Sequence, residues 1–443
     1  MERLLQDDRF PAALAATVDR DGHTQNYTTG VADLKTMAKV PVDGQIRAGS
    51  NTKTFTATVV LQLVGEGEVA LDAPIEKYLP DLVRGEGIDG HHITVRQLLQ
   101  HTSGLPDYTN FLGEEAIFGT GRHTYYQPRT LLDVALAHKA EFAPGTNWSY
   151  SNTNYVLAGL LIEKVTGRPV AERITHRVID RIGLRHTYFP STGDERIRDA
   201  HPKGYSATKP GAPLEDITRI DPSWAWSAGQ LISTPSDLNR FFSALIGGEL
   251  LGPNELAQMR TTVKVADTFD SGSGIRFGLG LTSTPLSCGG LMWGHRGDTP
   301  GYHTRTGATD DGRAATIATT ARPAPTSRGL NHADATPPCA RDNGRRARAA
   351  DAMRGVWPPA PAGCAGCSAR AKIRTRGGDR RVHRTTVSSG RDGPTASLRF
   401  GRAGKASRVA ADVDAAAVDG GGSRVCAVCA VRPGGLPHLV APV

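Results

Sequence analysis

The chain has 443 residues and a formal charge of +8, from 52 Lys and Arg against 44 Asp and Glu. The excess sits at one end: residues 1–321 carry −5 and residues 322–443 carry +13, so the basic balance gives no argument for a nucleic-acid partner of the main body. No run approaches the ~18 apolar residues of a membrane span, and Met1-Glu2-Arg3-Leu4-Leu5-Gln6-Asp7-Asp8 lacks the apolar core of a secretory signal.

Pro11 to Val18 predicts a strand, Arg20-Asp21-Gly22 a hairpin turn, and Gln25 to Val31 the returning strand. Gln45 to Ala48 leads into Gly49-Ser50-Asn51-Thr52-Lys53. The run from Phe55 to Val64 has almost no polar face, which predicts a buried helix stopped by Gly65 and Gly67. If that helix begins at Ser50, the three-residue spacing puts Ser50 and Lys53 on one face. A serine hydroxyl is a poor nucleophile at neutral pH without a base beside it, and a partly desolvated lysine can serve. The plainer alternative is an N-capping serine with a surface lysine. A second Ser-x-x-Lys, Ser206-Ala207-Thr208-Lys209, is followed by Pro210 and Gly211, so no helix carries it.

Leu71 to Pro80 reads as loop and short helix. Ile93 to His101 reads as a capped helix ended by Thr102-Ser103-Gly104, and His91, His92 and His101 read as solvated or capping. Further helices are predicted at Thr130 to Lys139, Asn154 to Val165, Val170 to Ile182 and Leu238 to Ile246, the last with Ser236 as its cap. Strands return at Gly278 to Thr284, Gly290 to Trp293, Gly301 to Thr306 and Arg313 to Thr320, with Asp310-Asp311-Gly312 as a hairpin turn. Strands at both ends and helices between predict an α+β fold: one antiparallel β-sheet formed from both chain ends, with a helical region inserted. There is no internal repeat.

Two further groups carry chemistry. Tyr150-Ser151-Asn152 follows a Pro144-Gly145 loop and precedes a helix. A tyrosine there can exchange a proton with a serine or leaving group, and an asparagine can donate to a substrate carbonyl. The alternative is a helix cap with a packed tyrosine; Tyr108-Thr109-Asn110 repeats the pattern. His295-Arg296-Gly297 is entered from the apolar run Leu291-Met292-Trp293. Gly297 would let a substrate backbone lie along the strand, and the Asp298 amide would pair with that of Ser50 as an oxyanion hole. The alternative is a strand edge running into the turn at Pro300-Gly301.

In this order, Ser50-x-x-Lys53, then Tyr150-Ser151-Asn152, then His295-x-Gly297 resembles the serine β-lactamase and penicillin-binding protein superfamily. The second and third motifs are similar to the class C β-lactamase branch, and within it to the actinomycete D-alanyl-D-alanine carboxypeptidases. The flanking text agrees: Arg47 to Phe55, Ile93 to Leu99 with Ser103-Gly104-Leu105, Phe142-Ala143-Pro144-Gly145, Ser227-Ala228-Gly229, and Phe277 to Leu281.

The resemblance implies a β-lactamase/transpeptidase-like catalytic domain over residues 1–321. It would be a monomeric serine hydrolase acting through an acyl-enzyme on D-alanyl-D-alanine peptides, such as peptidoglycan stem peptides, or on β-lactams. An esterase on the same fold and an inactive binding protein are the alternatives. Neither metal nor cofactor is implied, and the location implied is extracellular. Ser50 would be acylated, and Lys53 and Tyr150 would share the base and acid work. Asn152 would bind the acyl-side amide, and the Ser50 and Asp298 amides would hold the oxyanion. His295 would help place the substrate carboxylate, and Trp224 would wall the pocket.

The chain departs from that pattern. The carboxypeptidases read His-Thr-Gly-Thr where His295-Arg296-Gly297-Asp298 stands. The hydroxyls that hold a terminal carboxylate are absent, Asp298 would repel one, and Arg296 is the cation in reach. Thr282 stands where an arginine is usual. Cys288 is expected as an unpaired thiol, because the helix that carries its partner in secreted relatives is missing. Residues 322–443 are rich in Ala, Arg, Gly and Pro and lack glutamate. This composition reads as disorder, and its abrupt onset reads as a reading-frame slip near residue 321. The Cys364/Cys367 and Cys426/Cys429 pairs are too far apart for a zinc ribbon.

Overall fold

The computed structural model describes residues 10–207, 212–270 and 273–321, and beyond them the backbone of two strands, Ala411–Asp414 and Ala430–Pro433. The chain divides into two units, residues 1–360 and 361–443. In the second unit the two strands pair antiparallel, where composition predicts disorder. The remaining expectations for the tail, and Lys209 of the second Ser-x-x-Lys, fall outside the described residues.

In the first unit, strands from both chain ends share one sheet. β1 (Ala12–Val18), β2 (Thr24–Asp33) and β3 (Ala38–Lys39) come from the N-terminal side. β4 (Val263–Lys264), β5 (Arg276–Phe277), β6 (Thr282–Pro285), β7 (Leu291–Thr299), β8 (Tyr302–Thr309) and β9 (Ala314–Thr319) come from the other. The order is β4-β5-β6-β7-β8-β9-β1-β2-β3, and every pairing is antiparallel. β1 joins the halves, pairing Ala15 with Ile317 on one side and Tyr27 on the other. Its Ala-rich sequence is buried from Ala12 to Ala16, as suits a central strand covered on both faces.

The inserted region is helical. α1 (Thr52–Gly65) is buried on all sides except near its C-terminal end. Its polar positions are satisfied internally: Thr54 Oγ1 donates to Gly280 O at 2.7 Å and Thr56 Oγ1 to Ser227 O at 2.8 Å. A helix of β-branched residues is thereby locked in the core rather than left amphipathic. Phe55 stacks on Phe241 at 3.6 Å, tying α1 to the helix that lies on the sheet. α2 (Val95–Leu99) has a capping box between Thr94 and Gln97. α3 (Pro128–Leu136) and α4 (Asn152–Thr166) follow. The segment predicted as one helix from Val170 is helical to Ile182 with a π turn at Thr175–Ile179.

α5 (Pro235–Ile246) packs on β1, β8 and β9. Its cap is Thr234, whose hydroxyl accepts from Asp237 N at 3.2 Å, and not Ser236. Pro235 at the first helical position fixes that phase. Cys288 is disulfide-bonded, not a free thiol. Among the described residues no helix is long and apolar enough to cross a membrane.

Candidate active site

Ser50 lies in a 3-10 turn, Gly49–Asn51, at the head of α1. It caps nothing: neither this turn nor α1 has a side-chain cap. The turn is held by Asn51, whose Nδ2 donates to Ala48 O at 2.8 Å and Thr304 Oγ1 at 2.6 Å. β7 crosses directly over it. Gly49 has φ +55°, and a Cβ there would lie 2.7 Å from the amide nitrogen of Asp298. A Cβ on Gly297 would lie 2.0 Å from Ala48 O and 2.2 Å from Thr304 Oγ1. The space at Gly297 is therefore filled by the chain's own Ser50 turn and β8, rather than kept for a substrate backbone. The same close approach brings the Asp298 amide beside Ser50.

Lys53 is fully buried, one turn along. Its Nζ donates to Ser50 Oγ at 3.1 Å, Asn152 Oδ1 at 2.6 Å and Ala228 O at 2.8 Å. Burial lowers its pKa from 10.5 to about 7, against the opposing pull of Asp107. Two of the three partners are pure acceptors. A neutral Lys53 therefore gives both of its protons to Asn152 and Ala228, and its lone pair faces the Ser50 hydroxyl. That is the geometry of a general base.

Asn152 is placed by the start of α4. Ser151 takes the cap position, and its hydroxyl donates to Pro106 O at 3.2 Å, as Thr153 Oγ1 does at 2.7 Å. Asn152 is thus free of capping duty, and its Nδ2 donates to Asp107 Oδ2 at 2.8 Å. Tyr150 lies over Lys53, with Nζ 4.9 Å from the ring centroid. Its ring sits 4.4 Å from His101 and 5.7 Å from Phe269.

His295 is buried, with its ring 6.4 Å from Tyr150 and 5.7 Å from Phe277. Burial, then the charge of Lys53, lowers its pKa to about 3, so it is a neutral imidazole at physiological pH. Arg296 lies over Phe269 at 5.5 Å. The Asp298 carboxylate is held by Arg305 at 3.0 Å and by His303 at 2.5 Å. Trp224 sits in the 3-10 turn Pro222–Trp224, and its carbonyl accepts from Tyr108 Oη at 2.7 Å.

Two residues escaped the sequence reading. Asp107 is buried and holds Asn152. It lies two residues after Ser103-Gly104-Leu105, a stretch that carries the resemblance, and that proximity was the available signal. His101 is not solvated but wholly buried at φ +61°. Its Nδ1 accepts from Ser151 N at 3.2 Å and lies 3.1 Å from Asn154 Nδ2, and burial holds its pKa well below the usual range. Tyr108, read from a repeat of the Tyr-x-Asn pattern, is buried against α3 and α4. A cleft of about 390 Å³ lined by Thr102, Asn147, Trp148 and Lys264 includes none of Ser50, Lys53, Tyr150 and Asn152, so these four groups lie outside it.

A large antiparallel sheet with an inserted helical region, and a serine-lysine pair at the head of a buried helix, define the serine β-lactamase/transpeptidase superfamily of serine hydrolases. The Beta-lactamase family model matches residues 1–336, and the chain belongs to that family. Among solved structures it is similar to a D-stereospecific amidohydrolase from Streptomyces sp., at 40% identity and TM-score 0.67, covering 74% of this chain and 94% of that one. It is also similar to a D-amino acid amidase from Ochrobactrum anthropi SV3, at 26% identity and TM-score 0.64, covering 73% and 91%. Among curated proteins, Esterase EstB from Burkholderia gladioli is 32% identical over 205 residues, 44% of this chain and 51% of EstB. Protein flp from Staphylococcus aureus (strain N315) is 30% identical over 200 residues, 45% of this chain and 39% of flp. The chain thus spans about half or less of these curated relatives.

Proposed function

We propose that this chain is a serine hydrolase that cleaves the amide or ester bond following a D-configured residue, through an acyl-enzyme on Ser50. D-alanyl peptides and β-lactams belong to this substrate class, as the motifs of the class C branch suggest. The observation that carries the acyl-enzyme chemistry is the contact of Ser50 Oγ with a buried Lys53 at 3.1 Å. In that reaction Ser50 gives its proton to Lys53 as Oγ attacks the carbonyl. The Ser50 and Asp298 amides receive the oxyanion, and Tyr150 and Lys53 return the proton to the leaving group. Water then repeats the sequence on the ester.

The D-stereospecific amidohydrolase, which matches over most of its length, supports a D-configured acyl side. On the leaving-group side, the Asp298 carboxylate stands on β7 where the carboxypeptidases have a carboxylate-binding hydroxyl, and it is held by Arg305 and His303. A substrate ending in an amide or ester suits that strand better than one ending in a free carboxylate. The test is a hydrolysis panel: a D-alanyl-D-alanine peptide as free acid and as amide, a D-phenylalanine amide and its L form, a chromogenic cephalosporin and a short p-nitrophenyl ester. The expected order puts the D-amide and the amidated peptide above the free acid. Equal rates for D and L amides would overturn the stereochemical part. Turnover of the ester alone would favour the esterase reading, which EstB supports.

A further inference from the structure

Asp107 is 6% exposed, yet its carboxylate is turned toward donors: Asn152 Nδ2 at 2.8 Å on one oxygen and the Thr109 amide at 3.0 Å on the other. Burial raises the Asp107 pKa above the usual carboxylate value, and the donors on its two oxygens and the charge of Lys53 oppose that shift in favour of the ionised form. Through the Asn152 amide it stands two hydrogen bonds from Lys53 Nζ. An asparagine amide has two orientations that differ only in exchanging its oxygen and nitrogen. Asp107 accepts only from the nitrogen, so it forces the oxygen toward Lys53.

We propose that Asp107 is the positioning residue of this site, acting through Asn152: it fixes the amide orientation that leaves the Lys53 lone pair for Ser50, and it supplies the negative charge nearest that base. The proposal rests on the acyl-enzyme reading above. Among the described residues, the other titratable groups facing Lys53 include His101 and His295, both held neutral by burial, and the phenols of Tyr150 and Tyr155. Tyr108, which flanks Asp107, has its phenol pKa pushed well above the usual value. Asp107 is therefore the charged neighbour whose removal changes the field at Lys53. Its charge favours protonated Lys53, so taking it away lowers the pH at which Lys53 loses its proton.

The test is the titration of Lys53 in protein labelled with 13Cε-lysine, read by NMR in the wild type and in Asp107→Asn, with the resonance assigned by its loss in Lys53→Arg. The expected shift of the midpoint is downward by roughly one pH unit. The acid limb of the Ser50 phosphonylation rate is expected to move with it. Asp107→Ala, which frees the Asn152 amide to turn over, is expected to slow phosphonylation by about tenfold or more beyond Asp107→Asn. Thermal midpoints of each variant separate these effects from unfolding. An Asp107→Glu variant, which keeps the charge, is expected to restore the midpoint toward wild type. Identical Lys53 titrations in wild type and Asp107→Asn would overturn the proposal, and so would a slowed but unshifted profile, which marks a purely structural role. A shifted Lys53 in a protein that fails to hydrolyse the panel would sink the substrate reading and leave this inference standing.

Discussion

Gly49 and Asp298 meet so closely that a β-carbon on the first would sit 2.7 Å from the amide nitrogen of the second. The contact fixes where β7 crosses the Ser50 turn and, on the proposed mechanism, where the Ser50 and Asp298 amides would face the reacting carbonyl. Gly49→Ala must hold a side chain at φ +55°, at a strain of about 1–2 kcal/mol, and must also push β7 away. We expect a folded variant with a lower Tm and with kcat/KM down on the order of 100-fold, the scale of losing one oxyanion donor. Circular dichroism and ester hydrolysis read the two effects separately.

The pH profile follows from Lys53. With its pKa lowered to about 7, kcat/KM is expected to rise with pH and to reach half its plateau near pH 7, as the base form accumulates. His295, lowered to about 3, carries no charge across that range. His295→Gln is therefore expected to change the plateau and to leave the midpoint in place. A midpoint that moved with His295 would assign the limb to the wrong residue.

Burying Lys53 costs stability, and the sign is fixed. Its pKa in the folded protein, about 7, is below the 10.5 of an exposed lysine. Between those values the unfolded chain holds a proton that the folded chain has released, so this residue makes stability rise with pH across that window. Its cost is greatest below about pH 7, where the folded protein must bury the charge. Lys53→Met is expected to raise Tm by a few degrees at pH 6, less at pH 10, while activity falls by about a thousandfold or more.

On the proposed function, specificity at the leaving group would turn on Asp298. Asp298→Thr removes a negative charge from β7 and leaves Arg305 and His303 in place. The ratio of free-acid to amidated peptide turnover is expected to rise by roughly tenfold, measured as kcat/KM on the paired peptides.

The sequence made much of this visible, for identifiable reasons. The head of α1, the loop before α4 and β7 each show local spacing that such chemistry requires, so the group of Ser50, Lys53, Tyr150, Asn152 and His295 that the fold brings together could be picked out in order. Side-chain alternation and turn residues likewise located the strands from both ends. What stayed hidden depends on contacts distant in the chain. Asp107 has no periodic neighbour, and its partner Asn152 lies 45 residues on. Ala228 contributes a carbonyl, which no residue type announces. His101 looks like the polar end of a helix until its positive φ turns the ring inward. Gly297 could be recognised as indispensable, but only the packing shows that the obstacle is Ala48 and Thr304.

Whether Ser50 is the nucleophile is read by intact mass after exposure to a fluorophosphonate, with wild type, Ser50→Ala and Lys53→Met side by side. A nucleophilic Ser50 gives one adduct on the wild type, none on Ser50→Ala and slow, partial labelling of Lys53→Met. An adduct of equal yield on Ser50→Ala, or a wild type that hydrolyses its substrate while remaining unlabelled, would contradict it.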